Sequence, residues 1–292
     1  MAVGWLALAA STAVTWHAFA SVWATDRALF YARDGGLLAV TQALKQELVP
    51  GSDPVVTYLS PAGWDHPTVQ YGLVDADPPV VLLGFDGRVC VRVPDGPARY
   101  IVLTGEDFRG LALLRTYLPD SSEHTLAVDP DGEPLAVELT QPEGGRAIYP
   151  EMTPYPMAVA DGISLDGYWL SAPELQPGER LYVRLQWRAA TTPKGKYTAF
   201  AHLLAVGADA ATQQLAGADA EPGKGTCPTD RWLPGETVVD EMEFIVPEQL
   251  DTGAEYWVAV GLYTLADGRR LTVSGSADNQ ILIGPLTAAT AE

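Results

Sequence analysis

The sequence predicts a β-rich chain of mixed class: an N-terminal helix, a small α/β unit, then an antiparallel β-sandwich of jelly-roll or immunoglobulin-like type. Three observations predict it. Met1 to Ala24 contain no Asp, Glu, Lys or Arg. Between Val55 and Leu139, short apolar runs alternate with turns and a helical stretch. Beyond Ala158, about eight segments alternate apolar and polar residues at the spacing of a sandwich. The expected divisions are a membrane helix over 1–24, a small α/β domain over 25–145 and a β-sandwich domain over 157–292.

A stretch of 24 residues at ~1.5 Å each covers ~36 Å, enough to cross a ~30 Å hydrocarbon layer. Trp5, Trp16 and Trp23 share one helical face, and the outer two suit the headgroup layers. Eight Ala and five Ser/Thr/His positions dilute this pattern, and Ala18-Phe19-Ala20 and Val22-Trp23-Ala24 resemble cleavage sites of a signal peptide, although no Lys or Arg precedes the apolar stretch. The reading taken is a membrane helix, with a signal peptide and a buried helix as alternatives. Either of the first two places the rest of the chain outside the cytoplasm.

From Asp26 to Leu48 the apolar residues keep helical spacing, and Pro50-Gly51 stops them. Val55–Leu59, Val80–Leu83 and Arg99–Leu103 read as strands, and Glu106 opens a helix running to Leu118. Asp129-Pro130-Asp131-Gly132 between two apolar runs is a hairpin signal. Residues 142–157 hold four Pro and two Gly, a density that marks the boundary between the domains. In the sandwich, Leu181, Val183, Leu185 and Trp187 alternate with polar neighbours, as do Val238, Met242, Phe244 and Val246. Locally encoded turns and clean alternation predict that this part folds by itself.

With 18 basic and 37 acidic residues the chain carries −19, which repels nucleic-acid phosphates and excludes nucleic acid as a partner. At 47% hydrophobic and 19% charged residues it is too apolar for intrinsic disorder. Cys90 and Cys227 allow at most one bridge, between the two halves, with two buried free thiols as the preferred reading.

No catalytic constellation is legible. The four His are isolated and no paired Cys motif exists, so no metal site or cofactor is expected. The Asp129 loop lacks the further ligands of a calcium loop, Lys224 lacks the spacing of a phosphate loop, and no Gly-x-Ser-x-Gly elbow occurs. Two segments are candidate ligand-binding sites. Trp64-Asp65-His66 puts an aromatic beside an acid and a base, with capping of the following short helix as its structural alternative. Arg231-Trp232 offers a sugar-stacking pair, with closure of the sandwich end as its alternative.

Several segments carry a resemblance: Gly84-Phe85-Asp86-Gly87-Arg88-Val89-Cys90, Glu106-Asp107-Phe108-Arg109, Asp161-Gly162-Ile163-Ser164-Leu165-Asp166-Gly167-Tyr168, Thr229-Asp230-Arg231-Trp232-Leu233-Pro234-Gly235-Glu236 and Val260-Gly261-Leu262-Tyr263. Together the chain resembles the extracytoplasmic C-terminal region of bacterial polytopic glycosyltransferases of the GT-C class, relatives of protein O-mannosyltransferases and aminoarabinose transferases. The resemblance implies a bundle of membrane helices ahead of this region and a sugar delivered from a polyprenyl-phosphate donor. It implies an accessory role here, because the catalytic acid of that class lies in an early loop absent from this chain. The competing expectations are a membrane-anchored or secreted carbohydrate-binding protein and, third, a hydrolase using Asp65 and His66. Expected partners are the membrane through residues 1–24, and a glycan or the membrane part of such an enzyme.

Overall fold

The computed structural model describes all residues except 1, 24–25, 62–64, 208–210, 252 and 290–292. The chain begins with α1 (Ala2–Ala18), continued by a π-helical turn over Phe19–Trp23. Two helices follow, α2 (Arg27–Ala32) and α3 (Gly35–Glu47). The single helix expected over 26–48 is broken because Asp34 adopts a left-handed φ of 54°. A Cβ on the next residue, Gly35, would sit 2.5 Å from the Phe30 ring, so a larger residue would not fit this sharp corner.

The next elements are β1 (Val56–Ser60), α4 (Pro67–Leu73), β2 (Val81–Gly84), β3 (Cys90–Val93), β4 (Ala98–Leu103), α5 (Gly110–Tyr117), β5 (Ser122–Val128) and β6 (Pro134–Gln141). Five of these strands form one mixed sheet in the order β2-β1-β4-β6-β5, with β1 parallel to β2 and β4. The β5–β6 hairpin turns where the sequence predicts it. Asp129 Oδ1 accepts from the backbone N–H groups of Asp131 and Glu133, both at 2.9 Å, and Gly132 takes a φ of 86°.

Both faces of this sheet are buried. Leu59, Ile101 and Leu103 pack with Val40 and Leu44 of α3 and Val69 of α4. Tyr58, Tyr100 and Val102 point the other way, into a larger core that also holds Leu114 and Tyr117 of α5.

The remaining strands are β7 (Thr153–Val159), β8 (Ile163–Leu170), β9 (Glu174–Leu175), β10 (Arg180–Ala189), β11 (Thr198–Val206), β12 (Thr212–Ala220), β13 (Thr237–Ile245), β14 (Glu255–Thr264), β15 (Arg269–Arg270) and β16 (Ile281–Ala288). They build two further sheets, β3-β13-β10-β8-β7 and β12-β11-β14-β16-β9, with β15 joined to β14. The chain is therefore β-rich. In β10 the predicted alternation holds: Leu181, Val183, Leu185 and Trp187 are buried, and Tyr182, Arg184, Gln186 and Arg188 are at least partly exposed.

One expectation needs correction in its physics. The Pro-rich segment does not separate two private cores. β3, from the first region, is the edge strand of the second sheet, with Cys90–Val93 paired antiparallel to Thr237–Asp240. Tyr58, Phe85 and Tyr100 share a core with Leu185, Trp187 and Trp232. Cys90 and Cys227 are joined in a disulfide across 137 residues, which corrects the expectation of two free thiols.

Candidate functional site

Trp64 lies outside the described residues. Asp65 is exposed, and His66 is the N-cap of α4, where its Nδ1 accepts from the Thr68 N–H at 3.3 Å. That is the structural alternative foreseen for this segment. Arg231 is exposed, and its carbonyl accepts from Arg92 Nη2 at 2.5 Å. Trp232 is wholly buried and donates from Nε1 to the Cys227 carbonyl at 2.9 Å. A buried indole has no face to offer a sugar, so the proposed stacking role of Trp232 is corrected to packing beside the disulfide.

Trp232 belongs to a polar knot that joins the regions. Glu236, with no exposure, accepts from Arg92 Nε at 3.0 Å and Nη2 at 2.8 Å, from Tyr58 Oη at 2.5 Å and from the Leu233 N–H at 2.8 Å. Tyr100 donates to the Arg92 carbonyl at 3.0 Å, and its ring stacks on Tyr58 with centroids 5.0 Å apart. Burial, and next the Glu236 charge, push the Tyr58 hydroxyl well above the ordinary tyrosine range. These phenols stay protonated, and each carboxylate oxygen of Glu236 already accepts two hydrogen bonds. The knot is structural.

Beside the disulfide, Asp240 is the cross-strand partner of Cys90. Its Oδ1 accepts from the Gly223 N–H at 2.7 Å, while its buried Oδ2 has no hydrogen-bond partner. Burial raises its pKa to about 7, opposed by the Gly223 bond and assisted by neighbouring Glu241.

Sequence reasoning missed a third cluster. His124 is isolated in the sequence, yet β5 brings its Nε2 to 2.9 Å from Glu47 Oε1, close to Glu138 of β6. The three offer ligand atoms within 4.8 Å of one another, but Arg99 already pairs with both carboxylates. The guanidinium thus occupies the position a cation would take. No signal in the sequence joins positions 47, 99, 124 and 138, because they come from four different elements.

α1 and the π-helical turn after it present large apolar side chains to solvent. Trp5, Leu6, Leu8, Val14, Trp16 and Phe19 are each more than half exposed. Helices apolar all round belong in a core or a bilayer, not in water. No helix among the described residues is long and apolar enough to cross a membrane, so the expected membrane helix over 1–24 finds no support in the structure.

No known family model and no curated protein matches the chain. Among solved structures, the C-terminal domain of wzt aligns with 13% identity over 49% of this chain and 84% of that one, at a TM-score of 0.32. A score that low supports no conclusion about shared fold or function.

Proposed function

We propose that this chain is the non-catalytic, extracytoplasmic accessory region of a membrane glycosyltransferase that takes its sugar from a polyprenyl-phosphate donor. In this reading the second and third sheets form a β-sandwich, since their inner faces contribute to one core. The observation that carries the proposal is an uncharged apolar helix, exposed from Gly4 to His17, joined to an acidic, disulfide-linked body. Disulfides persist mainly outside the cytoplasm. With 17 residues, α1 lies at the short end of what a bilayer accepts, ~17–25 residues. Its fit is therefore to a place among other membrane helices, in keeping with what the resemblance in sequence implies. Thr12 suits such a setting, because its hydroxyl is satisfied within the helix by the Leu8 carbonyl at 2.9 Å.

The test is bacterial expression of the full chain, followed by alkaline carbonate extraction and external proteolysis of spheroplasts. The expected result is a carbonate-resistant, externally cleaved protein with an oxidised Cys90–Cys227 pair, and release from the membrane by a Leu8→Lys/Val14→Lys variant. Recovery in the cytosol with free thiols overturns the proposal.

A further inference from the structure

Asp240 of β13 faces the core beside the disulfide. It is buried, and it pairs across the strands with Cys90 of β3 on one side and Leu185 of β10 on the other. Cross-strand partners put their side chains on the same face, with Cβ atoms ~5 Å apart. The turn over Pro222–Gly225 closes this corner, with Gly223 and Lys224 at left-handed φ values of 62° and 53°. A Cβ on Gly223 would stand 2.8 Å from Cys90 Cβ and 3.1 Å from Cys227 Sγ, and the Gly223 N–H donates to Asp240 Oδ1 at 2.7 Å. One glycine thus lies against both half-cystines and the carboxyl group, and a side chain there would not fit.

The other carboxyl oxygen is left over. Asp240 Oδ2 is buried without a hydrogen-bond partner. The charged groups on the elements packed around it have partners of their own. On β3 and just before it, Arg92 is held by Glu236 and Arg88 by Asp86. Arg184 of β10 and Arg109 beside α5 both pair with Glu241, the next residue of β13, whose side chain leaves by the opposite face. Lys224 of the turn lies 3.7 Å from Glu243, Lys196 pairs with Glu221, and Asp219 of β12 pairs with His202. The hydroxyl of Thr226, 3.9 Å from Cys227 Sγ, donates to the Gly223 carbonyl at 2.8 Å.

What this corner lacks is a donor, and a disulfide cannot supply one. A thiol can. Breaking the bridge creates two S–H groups next to an acceptor that has no partner, and donation to a carboxylate favours the charged form over the neutral acid. With the bridge intact, burial raises the Asp240 pKa to about 7, so in mildly acidic solution the group is mostly neutral. The two redox states of the bridge therefore differ in how tightly Asp240 holds its proton. Cys90 and Cys227 are themselves buried, so the difference shows in the equilibrium of the bridge and not in how fast a reductant reaches it.

We infer that Asp240 and the Cys90–Cys227 bridge form a proton-linked redox switch: reduction by a dithiol turns Asp240 from a neutral carboxyl into a carboxylate held by a thiol S–H, and reoxidation returns the proton. The bridge takes two electrons and two protons from the dithiol, whose sulfurs join in a new S–S bond, and the Asp240 proton leaves to water. Because the sulfur protons balance, the exchange constant is independent of pH below the thiol range unless a further group titrates. The test equilibrates the full chain, in a mild detergent, with reduced and oxidised dithiothreitol from pH 5 to pH 7, a selenol catalyst keeping exchange fast at the acid end. Alkylation and intact mass count the thiols. The constant for reduction should rise about tenfold over this range, matching one pKa unit between the two states. Asp240→Asn should make it flat, and Glu123→Gln, on the first sheet, should leave the rise intact. A flat constant in the parent overturns the inference, as does a rise that Asp240→Asn retains. So does loss of the native near-ultraviolet circular dichroism on reduction, since the switch requires a folded dithiol form. None of these outcomes bears on the carbonate extraction, so the two proposals fail separately.

Discussion

The first sheet and the two later sheets differ in how their strands meet water. β4 reads Tyr100-Ile101-Val102-Leu103, and all four side chains are buried, alternately toward the helices and toward the rest of the protein. β10 buries every second side chain and wets the others. Parallel strands covered on both faces have continuous apolar runs, whereas antiparallel strands with one wet face alternate. The difference teaches that alternation says which way a strand faces, while a continuous run says only that both faces are covered. What covers the second face must come from elsewhere in the chain.

Here it comes from the later sheets, through the Arg92–Glu236 knot, and breaking that knot is the severest test of the comparison. Glu236→Ala leaves the Arg92 guanidinium buried without a counter-charge, a loss of about 3–5 kcal/mol. Urea unfolding followed by Tyr and Trp fluorescence should show one transition shifted as a whole. Two separated transitions would mean that the regions are independent after all. By the same logic a chain beginning at Met157 lacks β3 and Arg92, and should show no cooperative unfolding.

The second test uses Asp240. Its carboxyl is protonated more readily in the folded than in the unfolded chain, since its folded pKa is about 7 against an ordinary 3.8. The native state therefore holds more protons between about pH 4 and 7, and this group makes stability fall as pH rises through that window. Asp240→Asn keeps the acceptor for Gly223 and removes the charge. The variant should match the parent near pH 4 and exceed it at pH 8 by at most about 4 kcal/mol, measured by urea midpoints at each pH.

Next is the disulfide, whose 137-residue span gives an entropic limit of about 5 kcal/mol and an ordinary expectation of about 3. Cys90→Ser/Cys227→Ser should lower both regions' stability together, as seen by amide-exchange protection in β4 and β10. Protection lost in only one of them would show that the link is local. The smallest effect belongs to His66→Ala, which removes a cap from a seven-residue helix and costs about 1 kcal/mol. It should raise exchange in α4 and leave β10 unchanged.

The sequence made the later strands legible because Leu181 to Arg188 encode their own orientation, and the hairpin at Asp129 because its turn chemistry is local. It also held the alternative of His66 as a cap. It did not show that β3 leaves the first sheet, since Cys90-Val91-Arg92-Val93 has no alternation, all four being buried. Nor did it reveal the reversal of Trp232 from exposed stacker to buried plug. Burial of an aromatic depends on what crosses it from far along the chain.

The pairing of β3 with β13 also sets an order in time. Val93 is followed by 143 residues before Thr237, its partner, is made. At about 5–20 residues per second, synthesis takes about 7–30 s to cover that interval. Throughout it the first sheet has an uncovered face, and Arg92 and Cys90 wait without partners. Within these 292 residues the waiting thiol has one other cysteine to meet, Cys227, its native partner. A chain interrupted anywhere before Thr237 leaves the first sheet exposed on one side, so the region made first depends on a segment made much later.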